Sequence, residues 1–200
     1  MDETTHGFSR KVLDRALTID FGAFYPNDFD AFFRPQTKSK VFSFPQLSDA
    51  SSQQGFCAVD PDGMRSVQFL KSINSVLKDT AFELAFRALN ELLLSVKTHS
   101  ISDEVTLLAV WDDFLMSKVL PRIEGTIDKL AQAGSAETLL ASLNKLLEER
   151  LSGIWMDAQR PDLHRETVEG GMIFIPCRSR RKIEWMSKKL EQLGCTSFWP

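Results

Sequence analysis

Met1-Asp2-Glu3-Thr4-Thr5-His6-Gly7-Phe8-Ser9-Arg10-Lys11-Val12-Leu13-Asp14-Arg15-Ala16 opens the chain, and the reading of this stretch decides the fold. Ser9 is a capping residue type, and Val12, Leu13 and Ala16 fall on one face of a short helix over residues 9–16. Leu17-Thr18-Ile19-Asp20-Phe21 then alternates as a strand does, and Gly22 ends it. A strand needs a neighbour to hydrogen-bond, yet the next forty residues offer no second one. The unpartnered pair therefore reads as the first hint of a cut.

Downstream, the pattern turns helical. Phe24 to Phe56 is aromatic-rich but irregular, with Pro26, Pro35 and Pro45 and the polar run Ser48 to Gln54; it reads as an extended connector. Pro61-Asp62-Gly63 is a turn signal. Apolar residues at helical spacing predict helices over Met64–Leu77, Ala81–Thr98, Asp103–Leu120 and Ser135–Leu151, with Pro121 stopping the third and Ser135 capping the fourth. Residues 157–171 are mostly polar and broken at Gly170-Gly171. Met172 to Ile175 predicts a short strand, Ser179–Leu193 an amphipathic helix closed by Gly194, and Cys195 to Trp199 a last strand. Trp111, Trp155, Trp185 and Trp199 are expected in the core. The expected class is mainly α with a small terminal β element. The segments are 1–24 (the helix-strand pair), 25–63 (connector) and 64–200 (helical domain).

Composition and motifs exclude several chemistries. A net charge of -3 gives no global attraction for nucleic acid or an anionic membrane. No apolar run is long enough to span a bilayer, and the acidic N-terminus is unlike a secretory signal. Cys57, Cys177 and Cys195 form no CxxC pair and read as reduced thiols of a cytoplasmic protein; with His6, His99 and His164 scattered, no metal site is expected. None of the ten glycines is followed by Lys, so there is no GxxxxGK[ST] phosphate loop, and no apolar strand ends in paired carboxylates that would hold magnesium. Hydrolysis by this chain alone is not expected.

The opening stretch closely resembles a segment of McrB-like AAA+ NTPases, in which a Phe-Ser-x-Lys-Val-Leu-Asp-Arg-Ala helix follows a strand ending in the sensor asparagine. By that resemblance the chain starts just after the sensor Asn, downstream of the phosphate loop. Three more blocks follow in the family's order. Phe82 to Glu91 is similar to the lid helix carrying a second sensor arginine. Asp112 to Gly125 is similar to a lid helix running into Lys-Val-Leu-Pro-Lys and Gly. Lys188 to Trp199 is similar to a closing helix with a Gly-x-Thr-Ser-Phe-Trp tail. The resemblance implies the AAA+ C-terminal helical lid with a remnant helix and strand of the α/β core. It also implies a ring-forming motor subunit that hydrolyses ATP or GTP with Mg held elsewhere. Its partners would be an AAA+ core or like subunits, and in restriction systems a nuclease subunit.

The resemblance also assigns roles. Arg15, with Arg10 as runner-up, would be the finger that reaches a neighbour's γ-phosphate; the alternative is a helix-end arginine paired with Asp14 or bonded to terminal carbonyls. Arg87 would sense the nucleotide of its own subunit, or else sit in a salt-bridge ladder with Glu83 and Glu91. Read from the residues alone, Arg178, Arg180, Arg181 and Lys182 are either a solvated basic helix start or a DNA-facing patch. A non-catalytic helical adaptor and a DNA-binding module are the competing functional readings.

Overall fold

Helices dominate the chain in the order their periodicity predicts. A computed structural model describes residues 10–13, 15–19, 55–99, 101–132, 137–156, 159–167 and 169–199. The helices are α1 (Arg10–Leu13), α2 (Met64–Leu77), α3 (Phe86–Thr98), α4 (Glu104–Phe114), α5 (Leu139–Arg150), α6 (Ser152–Trp155) and α7 (Arg178–Leu193). The strands are β1 (Gly125–Thr126), β2 (Gln159–Glu166), β3 (Met172–Pro176) and β4 (Cys195–Thr196). They form two antiparallel pairs, β1 with β4 and β2 with β3.

α4 is apolar nearly all round, and such a helix has to be central. It buries Leu107, Leu108, Ala109, Val110, Trp111 and Phe114 and packs against α3, α6, α7 and β2. Asp103 caps it, its carboxylate accepting from the Thr106 amide at 2.8 Å. The helix does not simply stop at Pro121. Leu115–Val119 widens into a π-helical turn, and a 3-10 turn over Leu120–Arg122 contains the proline. The wider turn lets four of its five residues face inward: Leu115, Met116, Lys118 and Val119. α2 and α5 close the other side of the core, where Phe69 stacks on Trp111 with ring centroids 4.3 Å apart. Gly194, at φ 71°, ends α7 in the left-handed region, and the chain turns directly into β4 against β1.

Several expectations need correction. α3 starts at Phe86 rather than Ala81, because residues 81–85 leave the helical path and Leu84 is tied by its amide and carbonyl to the Asn74 side chain. α5 starts at Leu139, capped by the Thr138 hydroxyl; Ser135 lies outside the described residues. The polar stretch 157–171 contains β2, in which Arg160 and Asp162 turn inward as ion-pair partners. Residues 17–19 form no strand, and Leu17 and Ile19 are exposed. Most of the expected connector, residues 25–54, and the rest of the expected first strand lie outside the described residues. Trp111 and Trp155 are buried, but Trp185 is on the surface with Lys182 and Lys189 over its ring. Leu193, expected on the apolar face of α7, is exposed as well.

Candidate functional site

The segment that follows α1 is held at two points by the turn that carries a buried lysine. The Thr18 amide donates to the Ser117 carbonyl at 3.0 Å, laying the segment along the π-helical turn. From that turn, the fully buried Lys118 donates its ammonium to the Ala16 carbonyl at 3.1 Å and pairs with Glu91 of α3 at 2.7 Å. Arg15 immediately precedes Ala16, and Arg87 precedes Glu91 by one helical turn, about 6 Å along α3.

Both arginines are exposed, and neither makes an ion pair or side-chain hydrogen bond among the described residues. The salt-bridge ladder weighed for Arg87 does not form. Glu83 accepts from the Asp79 amide instead, and Glu91 is committed to Lys118. An exposed guanidinium keeps its full charge and its five donors available to a phosphate brought by another molecule. Arg10 lies in α1, but its side chain is outside what the structure describes, as is Asp14, the alternative partner of Arg15.

The second feature is a network of charges on α4, β2 and α7. Asp112 is fully buried, and a charge there demands partners. It receives Arg160 Nε at 2.7 Å, the amides of Arg178 and Ser179 at 2.9 and 2.8 Å, and the Cys177 thiol at 3.2 Å. The carboxylate thus caps α7 from another helix and favours its positive N-terminal end. Asp113 receives both terminal nitrogens of Arg160, Nη1 of Arg178 at 3.0 Å and Nε2 of His164 at 3.3 Å. Asp162 takes Arg165 and Arg178.

The ionisation of this network follows its geometry. Burial alone would raise the Asp113 carboxyl, but the His164 hydrogen bond and the Arg160 and Arg178 charges outweigh it and hold it below the usual range. The same hydrogen bond raises His164. Burial, with Asp112 beside it, pushes the Cys177 thiol up to about 12, which removes it as a nucleophile. Every charge at the centre is answered by another, so this network docks the β2–β3 hairpin rather than offering an open catalytic pair.

The basic run is largely committed to the fold. Arg178 belongs to the network; Arg180 pairs with Glu184 and bonds the Trp155 carbonyl; Lys182 bonds the Phe198 carbonyl and lies over the Phe198 and Trp185 rings. Arg181 alone of the four is exposed without a described partner. Among the described residues no group of three His, Cys, Asp or Glu is placed to hold a metal ion, and no helix is long and apolar enough to cross a membrane.

Sequence reasoning missed the Asp112–Arg160 hub and the Lys118–Glu91 pair. One signal was available: Asp112-Asp113 and Lys118 sit within an otherwise apolar helical run, where a charge has to find a partner. A family model described as Domain of unknown function (DUF8727) matches residues 44–195. No curated protein and no solved structure matches the chain.

Proposed function

The chain belongs to the DUF8727 family, and we propose that it works as the lid end of a ring-forming, nucleotide-hydrolysing motor resembling the McrB-like AAA+ NTPases. The observation that carries this reading is the state of its arginines. Arg65, Arg122, Arg160, Arg165, Arg178 and Arg180 are committed to carboxylates or carbonyls. Arg15 and Arg87 are left open on two segments joined by one lysine, although acidic residues stand within a turn of Arg87. Arg150 and Arg181 are also open, but no resemblance attaches a role to them.

In this reading Arg15 reaches the γ-phosphate held by a neighbouring AAA+ core, and Arg87 touches the phosphates of the subunit it covers. Arginine fits both tasks because its planar, permanently charged fork can contact two phosphate oxygens at once. A finger neutralises charge as it develops on the transferred group and accelerates hydrolysis by roughly 10³–10⁵. Nucleotide and magnesium are held by the core, since this sequence carries no phosphate loop.

The test is complementation. A McrB-like core lacking its own finger is mixed with this chain, and ATP and GTP hydrolysis are followed separately. Addition of the chain should raise turnover at least about a hundredfold, short of the full finger effect. The Arg15→Ala version should not, and Arg87→Ala should weaken the response. Equal stimulation by wild type and Arg15→Ala would sink the assignment of the finger, and turnover by the isolated chain would sink the division of labour.

A further inference from the structure

Lys118 stands out among the buried groups. Its side chain is wholly inaccessible, it projects from a π-helical turn, and its ammonium joins two segments. One is the stretch bearing Arg15, gripped at the Ala16 carbonyl and, through the backbone beside the lysine, at the Thr18 amide. The other is α3, gripped at Glu91. A π turn is a local departure from the helical ladder and is frequent at functional sites.

We propose that Lys118 is a positioning residue that couples the Arg15 segment to the Arg87 helix, so that a displacement of α3 is transmitted to the stretch 15–18. The naming of its two ends as finger and sensor rests on the function proposed above; the mechanical joint does not. The physical basis is the strength and scarcity of the contacts. A desolvated ammonium with a carboxylate partner resists separation far more than a surface pair, so it moves with α3. The described residues 15–19 offer little else to hold them: Leu17 and Ile19 are exposed, and Ala16 and Thr18 are only partly covered. Movement of α3 therefore carries the Lys118 end with it, and the Ala16 carbonyl follows or is released.

Native-state amide exchange of the full chain, without nucleotide, tests the joint. The reporter is the Thr18 amide, bonded to Ser117, and the controls are amides in α5 and α7. Glu91→Gln alters only α3 and removes the charge that anchors Lys118. It should speed Thr18 exchange at least about tenfold while the control amides change little. Lys118→Met should do the same more strongly. Unchanged Thr18 exchange in Glu91→Gln would overturn the proposal. So would acceleration of Thr18 and the controls together in both variants, which would make the pair a general structural prop. Because no nucleotide is present, failure here leaves the complementation result standing, and the reverse holds too.

Discussion

Replacing Arg160 with Met removes the most deeply committed cation of the fold while keeping similar length and bulk. Arg160 is fully buried, donates to Asp112 and Asp113 through three nitrogens, and also bonds the Pro161 carbonyl at 2.8 Å. Removing one partner of a buried pair commonly costs about 3–5 kcal/mol, because the other charge is left in a poor dielectric. Asp112 is not left empty, since two amides and the Cys177 thiol still donate to it, and Asp113 keeps Arg178 and His164. The expected loss is therefore near the lower end, about 3 kcal/mol. With a urea dependence of about 2 kcal/mol per M, the unfolding midpoint should fall by about 1.5 M. Melting should fall by about 6–12 °C for a chain of this size. Arg165→Ala is the control: Arg165 pairs with Asp162 from a largely exposed position, and such pairs are worth about 0–1 kcal/mol. If Arg160→Met costs no more than Arg165→Ala, the network is not what holds the hairpin to α4 and α7.

Two further outcomes follow from the same cluster. His164 is raised by its bond to Asp113, so its contribution is fully present below the ordinary histidine value and is lost as pH rises through its folded value. Asp113 is depressed, so its contribution is present above the ordinary aspartate value and is lost as pH falls through its folded value. Urea midpoints should thus decline from mildly acidic to alkaline pH more steeply in wild type than in His164→Gln; identical slopes would discard the His164 contribution. Cys177 is buried with its thiol pushed up to about 12, whereas Cys195 is exposed. Iodoacetamide at pH 8 should label Cys195 in the native protein and reach Cys177 only after denaturation, with peptide mass spectrometry as the readout. Labelling of native Cys177 at a comparable rate would contradict its burial.

The sequence made the helices legible because their cores repeat at helical spacing. Phe69, Leu70 and Ile73 mark α2, Leu107, Trp111 and Phe114 mark α4, and Ile183, Met186 and Leu190 mark α7, and all are buried. What stayed hidden had a different physical origin. β2 runs Gln159-Arg160-Pro161-Asp162-Leu163-His164-Arg165-Glu166, with hardly an apolar residue. Its partners are charges on α4 and α7 far away in sequence, so neither composition nor period announced it. Trp185 was misplaced because aromatic residues usually anchor cores, and here two lysines cover its ring instead. The basic run looked like one patch because spacing along a helix does not reveal which side chains turn inward. Arg15 and Arg87 were nameable from their motif contexts, but the lysine between them was not, since only the fold brings residues 16, 91 and 118 together.

The distant cap of α7 also bears on the order in which the chain assembles. The Ser179 amide finds its acceptor on Asp112, 67 positions earlier, and β1 pairs with β4, from Thr196 back to Gly125. Closing such long intervals costs chain entropy before any contact repays it, which slows the approach to the native state. During synthesis, α4 emerges with a carboxylate destined for the interior and with neither the guanidinium nor the helix end that satisfies it. The nascent core must keep that face wet until Arg160 and then residues 178–179 arrive. Final consolidation of this core thus waits for residues 178–196. An Asp112→Asn change should chiefly speed unfolding if α7 docks after the rate-limiting step; refolding slowed by the full loss of stability would mean that α7 docks before it.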